Sequence, residues 1–590
     1  MASNSRQLRL VFFPHLAHGH LIPTVDMARL FARLGVKVTV ATTPLNALLF
    51  AHIIQRDKES GFDICARVMK FAAEEVGLPP GCENASSLTS QQMTSKFLMA
   101  VDLLRLPLEE LLEELRPDCL VADAMFPWAT DIAIKFGIPR LVFHGTSCFA
   151  LCVAHSLVRH EPFRNVASES ELFDVPALPH QIKMTRSQLP DYMKEKTETV
   201  VKRLMNQVMQ SDSSSYGVVV NSFHELEPAY SEHYSKVMGR KAWFVGPVSL
   251  CNNDKKDKAE RGNAPSISTH ECLRWLDSKK PNSVLYVCFG SIFRTRGARL
   301  NEIAKGLEAS GQDFIWVVRK VDDDEEKEEW LPEGFEERIK GKGLIVRGWA
   351  AQVAILEHEA VGGFMSHCGW NSTIESIAAG VPMVTWPLCA EQFSNEKLVT
   401  DVLKIGVGVG AKVWRRWTDE SVAEGEISME DIERAVSRVM VGEEGDEMRN
   451  RARELKNVAR EAVDEVIRET CRRWRLCLGV TNGTGVFEDI VNQILLLPKD
   501  SICQFFPTVP QSPLSLSSLF SAQYIKQLRV AGGWVRDKLL GKECYDIDIA
   551  LDNMLGSEFV DKVQEYLSST GEVAQGLAVI PSFFSCIYTT

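Results

Sequence analysis

Through its first half the chain alternates short apolar runs with stretches of helical spacing. The run at residues 8–13 predicts a buried strand. Apolar positions across 22–34 recur at helical spacing, Gly35 stops that helix, and the β-branched stretch 36–42 predicts a second strand. The pattern returns as a strand at 119–122, a helix over 128–136 and a strand at 140–143. A polar stretch, 252–268, reads as an interdomain linker, and beyond it strands are expected at 284–289, 314–318, 344–347 and 363–365. Residues 406–410 (GVGVG) follow a helix, the wrong context for a dinucleotide loop, so they read as helix exit plus strand. Strand–helix–strand repetition of this kind predicts an α/β chain whose parallel sheets carry helices on both faces. Two Rossmann-like domains would face each other, with ligands in the crevice at the carboxyl ends of their strands.

Composition narrows the class. A net charge of −12 without a basic stripe argues against a dedicated nucleic-acid binder. The fifteen cysteines have no paired spacing, and His15, His18 and His20 interrupt the first apolar run before it could serve as a secretory signal. No stretch has the roughly 18 uninterrupted apolar residues a membrane helix needs. The expectation is a cytoplasmic monomer without a transmembrane segment, in which Asn482-Gly483-Thr484 is a turn. The acidic run 322–329 lacks ligand spacing and reads as a solvated loop.

Candidate chemistry concentrates in residues 349–392, WAAQVAILEHEAVGGFMSHCGWNSTIESIAAGVPMVTWPLCAEQ. At its centre, Gly369 permits a tight turn, and Asn371 and Ser372 stand where a helix N-cap is expected. Backbone N–H groups and the helix dipole there would attract an anion, with His367 as a further donor. A diphosphate site and a plain capped helix fit equally well. Near the N-terminus His20 opens the first helix, where a structural histidine would also fit and His15 and His18 compete. Asp123 closes a buried strand, a costly place for a carboxylate without a partner or a task.

The segment 349–392 resembles the signature of plant secondary-product UDP-glycosyltransferases of the GT-B fold. The resemblance extends from about Arg9 to Glu465, through RPDCLVADAMFPWATDIA, SYGVVVNSFHELEPAY and ECLRWLDSKKPNSVLYVCFGS. It implies that Trp349 stacks on uracil, Gln352 holds the nucleoside and Glu375 accepts the ribose hydroxyls. His367, Asn371 and Ser372, with Ser291, would bind the phosphates, and Trp370, Glu391 and Gln392 the sugar. A final glutamine goes with glucose, so Gln392 implies UDP-glucose. Ala351 departs from the family's usual proline, which would loosen a turn without removing a contact group. FFPHLAHGHLIPTVDMA matches the family's catalytic loop, which makes His20 the base and Asp123 its orienting carboxylate. The implied reaction inverts the anomeric centre, needs no metal or cofactor, and acts on a small flavonoid, phenolic, triterpenoid or hormone.

The pattern breaks after Glu465, where a Gly-Gly-Ser-Ser turn is expected but VIRETCRRWRLCLGVTNGTG stands, with Arg468, Arg472, Arg473 and Arg475 as a basic cluster. The segment reads as inserted sequence, before a closing helix resumes over 486–497. Residues 499–525 form a linker, and 526–590 resemble the head of tRNA nucleotidyltransferases of the polymerase-β superfamily. There Gly532, Gly533, Arg536 and Asp537 would approach a triphosphate, and Asp546 and Asp548 would hold magnesium. The match stops before the parts that select nucleotide and tRNA, so the fragment is expected to be inactive. The expected organisation is 1–251 for acceptor, 252–268 linker, 269–465 for UDP-sugar, 466–498 atypical segment and closing helix, then linker and fragment. Against UDP-glucosyl transfer stand RNA nucleotidyl transfer by the fragment and non-catalytic UDP-sugar binding.

Overall fold

A computed structural model of the chain describes residues 7–252, 254–292, 297–318, 331–416 and 427–477, with four further strands between 528 and 589. The first half is built on a seven-stranded sheet. Its members are β1 (Arg9–Phe13), β2 (Lys37–Thr42), β3 (Ile64–Val68), β4 (Cys119–Asp123), β5 (Arg140–Phe143), β8 (Gly217–Val220) and β9 (Ala242–Phe244). A small hairpin of β6 (Leu172–Asp174) and β7 (Lys183–Thr185) stands apart. The order is β3-β2-β1-β4-β5-β8-β9, and every pairing is parallel.

Alternation explains why the central strands read as unbroken apolar runs. Val11, Phe13, Leu120 and Ala122 pack into one hydrophobic cluster, while Leu10, Phe12, Cys119 and Val121 enter another on the opposite face. With helices over both faces, neither set of side chains reaches water. The second half repeats the scheme with β10 (Val284–Cys288), β11 (Asp313–Val318), β12 (Gly343–Arg347), β13 (Val361–Ser366), β14 (Met383–Thr385) and β15 (Gly406–Gly408). These form a parallel sheet in the order β12-β11-β10-β13-β14-β15.

In each sheet the chain reverses its direction of winding about the first strand: β1 lies between β2 and β4, and β10 between β11 and β13. Ligands bind at such points, outside the carboxyl ends of the strands. His20 follows β1 and Asp123 ends β4; Ser291 follows β10 and His367 follows β13.

The polar stretch 252–268 between the two sheets contains the helix Lys255–Ala259, capped by the Asp254 side chain. Past Glu465, where the family's turn is replaced, the helix beginning at Gly442 continues to Cys477. No Gly or Pro interrupts residues 466–477, so nothing in that stretch breaks a helix. This helix packs back on His224–Leu226 and Val248–Cys251 of the first half. The closing helix at 486–497 and the acidic run 322–329 lie outside the described residues.

A second compact unit spans Leu496–Thr590. Its strands β16 (Leu528–Ala531), β17 (Asp546–Leu551), β18 (Gln575–Ile580) and β19 (Ser585–Thr589) make an antiparallel sheet in the order β16-β17-β19-β18. Asp546 and Asp548 are both on β17; Gly532, Gly533, Arg536 and Asp537 lie outside the described residues. Among the described residues no helix is long and apolar enough to cross a membrane.

Candidate active site

Parallel pairing of β1 with β4 brings Phe13 opposite Ala122, so the residues just beyond both strands meet. His20 lies in the first turn of the helix His18–Arg33, and its Nδ1 is 2.7 Å from Asp123 Oδ2. Asp123 is fully buried, while about 29% of the His20 side chain is exposed to the cleft. The other carboxylate oxygen accepts the Met125 N–H at 2.9 Å. Burial alone would push the Asp123 pKa up, but the His20 ring pulls it below the usual carboxylate range. Burial would likewise lower the His20 pKa, yet the charge and hydrogen bond of Asp123, with Glu391 nearby, leave it raised. An ionised carboxylate only accepts, so Nδ1 carries the proton of neutral His20 and Nε2 keeps the lone pair.

The other two N-terminal histidines are differently engaged. His15 is buried, its pKa is lowered to about 4 by burial and then by His20, and its ring meets the His20 ring edge-on at 5.4 Å. His18 turns toward the second half, with Nε2 at 3.1 Å from Asn263 Oδ1 and its ring 5.3 Å from that of Trp349. Gly145 was not anticipated: a Cβ there would stand 3.1 Å from His20 Nδ1, so the missing side chain lets the ring lie against the backbone.

On the opposite wall the helix Trp370–Ala379 starts at Gly369, with no side-chain hydrogen bond to its cap. Asn371 and Ser372, expected at the N-cap, are instead its second and third residues. The physical sense is plain, because a capping side chain would consume the N–H groups that an anion would use. Gly369 serves close approach instead of a left-handed turn: its φ is −58°, and a Cβ would fall 2.5 Å from His367 Nε2. A Cβ at Gly290 would fall at the same distance from that nitrogen. His367 is half-buried, desolvation lowers its pKa to about 4, and its inaccessible Nδ1 has no protein partner. It would meet a phosphate as a neutral donor. Gly369→Ala is expected to displace this ring and raise the KM for a uridine-nucleotide donor by about tenfold or more, read from initial rates across donor concentration.

Asn371 joins the two walls. Pro23 lacks the N–H that would bond to the Gly19 carbonyl one turn earlier in its helix, and Asn371 Nδ2 donates to that carbonyl at 2.6 Å. Trp370 adds a second link, its Nε1–H donating to Asn221 O at 2.8 Å. Gln352 opens the helix Gln352–Leu356, and its Nε2 donates to Ser372 Oγ at 3.2 Å and Glu375 Oε2 at 2.8 Å. Ala351 holds φ at −74°, a value that proline could also adopt. Gln392 Oε1 accepts the N–H groups of Leu388 and Cys389, both at 2.9 Å, which turns its amide into its own loop. Glu391 is held by Asn395 at 3.0 Å, and burial raises its pKa.

A cavity of about 810 Å³ unites these groups. His20 lines it, and so does every one of the residues assigned to the donor: Ser291, Trp349, Gln352, His367, Trp370, Asn371, Ser372, Glu375, Glu391 and Gln392. Asp123 stands behind His20. Among the described residues no cluster of histidine, cysteine and carboxylate side chains could hold a metal ion.

The family model described as UDP-glucoronosyl and UDP-glucosyl transferase matches residues 105–449. The chain is 57% identical to scopoletin glucosyltransferase of Nicotiana tabacum, over 78% of its own length and 95% of the tobacco protein. It is 53% identical to UDP-glucose flavonoid 3-O-glucosyltransferase 7 of Fragaria ananassa, over 78% and 93%. This chain belongs to the UDP-glucosyltransferase family. Its fold follows Glycyrrhiza uralensis UGT73P12, solved with glycyrrhetinic acid 3-O-monoglucuronide, with a TM-score of 0.73 and 40% identity over 82% of this chain and 99% of that one. Arabidopsis thaliana UGT89C1, solved with UDP-L-rhamnose, matches with a TM-score of 0.60 at 25% identity, covering 79% and 100%. The transferase family accounts for the two facing Rossmann-like sheets. A second model, Poly A polymerase head domain, matches residues 528–583.

Proposed function

We propose that this UDP-glucosyltransferase moves glucose from UDP-glucose to a hydroxyl of a small phenolic or related plant metabolite, with inversion at the anomeric carbon. The observation that carries the reading is the shared cavity, in which His20, held from behind by Asp123, faces the uncapped helix start and His367. His20 Nε2 takes the acceptor's proton as its oxygen attacks. Asp123 holds the tautomer and stabilises the imidazolium. Charge developing on UDP meets the N–H groups at the start of Trp370–Ala379 and the His367 donor. Trp349 and Glu375 hold the nucleoside. Gln392 would have to leave its loop contacts to reach the sugar.

The relatives' names, scopoletin and flavonoid glucosyltransferases, support a phenolic acceptor. The apolar side chains on the acceptor side of the cavity, among them Phe97, Leu189, Met193 and Leu204, favour a planar, poorly hydrated molecule. A monomer in the cytoplasm fits this chemistry.

The test is purified chain with UDP-glucose against coumarins, flavonols and triterpenoids, with products resolved by mass and by proton NMR. The expected product is a β-glucoside made from the α-linked donor. An α-glucoside would sink the single-displacement geometry, and the absence of transfer across the panel would sink the acceptor class.

A further inference from the structure

The stretch joining the two halves is polar enough to belong in solvent, yet it is fastened down along its length. Buried Arg29 donates to Asp257 at 2.6 Å, and Arg56 donates to Asp257 at 2.7 Å. Lys258 reaches Glu357 at 2.6 Å. The chain then crosses the cleft. Arg261 Nε donates to Asp26 Oδ2 at 2.7 Å on the first half, and Arg261 Nη1 donates to Glu375 Oε1 at 2.5 Å on the second. All three side chains are almost wholly buried.

Trp349 is held by the same segment. Its N–H donates to Ser266 Oγ at 2.8 Å, its carbonyl accepts the Ser266 N–H at 2.9 Å, and its indole N–H points to Arg261 O at 3.4 Å. Gly262 has φ of +92°, and a Cβ there would lie 2.4 Å from Cζ2 of the indole. Left-handed backbone and close approach both require glycine at this position.

We infer that residues 258–266 belong to the donor site: Arg261 is a positioning residue that sets the Glu375 carboxylate for the ribose diol of a uridine nucleotide, and Gly262 with Ser266 sets the Trp349 indole. This rests on the donor reading given above. A carboxylate has about four lone-pair positions. Arg261 takes one on Oε1 and Gln352 one on Oε2, which leaves room for two hydroxyl donors on a carboxylate that can no longer rotate. Without Arg261, Asp26 and Glu375 would be buried carboxylates sharing no cation, and Glu375 would turn or take up a proton.

The experiment is calorimetric titration with UDP, with steady-state rates, on the parent chain, Arg261→Gln, Arg261→Lys, Gly262→Ala, and Glu375→Gln with and without Arg261→Gln. Losing a charge-assisted hydrogen bond to the nucleoside-binding carboxylate should weaken UDP and raise the KM for UDP-glucose by about tenfold or more. The acceptor KM should stay within about threefold, and the lysine variant should recover part of the loss. Glu375→Gln should cost less in the Arg261→Gln background than in the parent, since the two act through one contact. UDP affinity within about twofold of the parent, or full additivity of the two substitutions, overturns the inference. If Arg261→Gln does not fold, Gly262→Ala decides, because it leaves the ion pairs intact: the same split between donor and acceptor upholds the inference, and unchanged UDP affinity refutes it. A parent chain that binds no UDP refutes the donor reading itself, and this inference with it.

Discussion

Replacing His20 by alanine is expected to cut kcat by about 10²–10⁴-fold, the usual worth of a positioned general base. The neutral ring has its proton on Nδ1, directed at Asp123, and Nε2 is the only basic atom it can offer an acceptor hydroxyl. His15 cannot replace it, because burial holds that imidazole's pKa near 4 and a base so weak takes little of the proton. The donor contacts lie on the other half and survive the substitution, so UDP affinity should remain close to that of the parent. Asp123 keeps its bond from Met125 but loses its hydrogen-bond donor His20, which makes a thermal-unfolding control necessary. Initial rates with UDP-glucose and a phenolic acceptor, beside a UDP titration, give the answer. A rate within about tenfold of the parent would remove His20 from the chemistry, because general-base catalysis contributes at least about 10²-fold. Loss of UDP binding in the same proportion would mean that the substitution had damaged the cleft instead.

How far the molecule could be read in advance depended on where each element sits. The central strands β1, β4, β10 and β13 are apolar on both faces and announce themselves as runs. Edge strands do not: β3 mixes Arg67 with Ile64 and Val68, and β9 has only three residues. The helix carrying Trp370 was legible, but its start was misplaced because Asn371 and Ser372 are residue types that ordinarily cap. A helix end kept open for an anion lacks the capping signal by which helix ends are recognised. The donor-site residues within 349–392 reach one cavity because consecutive strand–turn–helix units carry them, and local spacing encodes that arrangement. Arg261 and Gly262 escaped for the opposite reason. Their partners, Asp26 and Glu375, are distant in sequence, and a polar segment with one glycine looks the same whether water or a cleft surrounds it.

Asp123→Asn separates the carboxylate's charge from its place in the structure. Asparagine fits the same space and can still accept from Nδ1–H, so the fold and the His20 rotamer should persist, but the negative charge opposite the ring is gone. Two consequences are expected together. The imidazolium formed during attack loses its counter-charge, and the rate at the pH optimum should fall by about 10²–10³-fold. The acid limb of the pH–rate profile should also move. In the parent, Asp123 outweighs burial and raises the His20 pKa above 6.5, so kcat/KM should climb with pH through a midpoint on the alkaline side of that value. In the variant, burial acts against the smaller pull of Glu391 alone, the pKa drops, and the base is already deprotonated at lower pH. The midpoint therefore shifts toward acid while the plateau falls. The decisive measurement is kcat/KM from pH 5 to 9 for both proteins. A lower plateau with an unmoved midpoint would assign the titration to another group, and an unchanged plateau would leave Asp123 as a buried anchor with no part in the transfer.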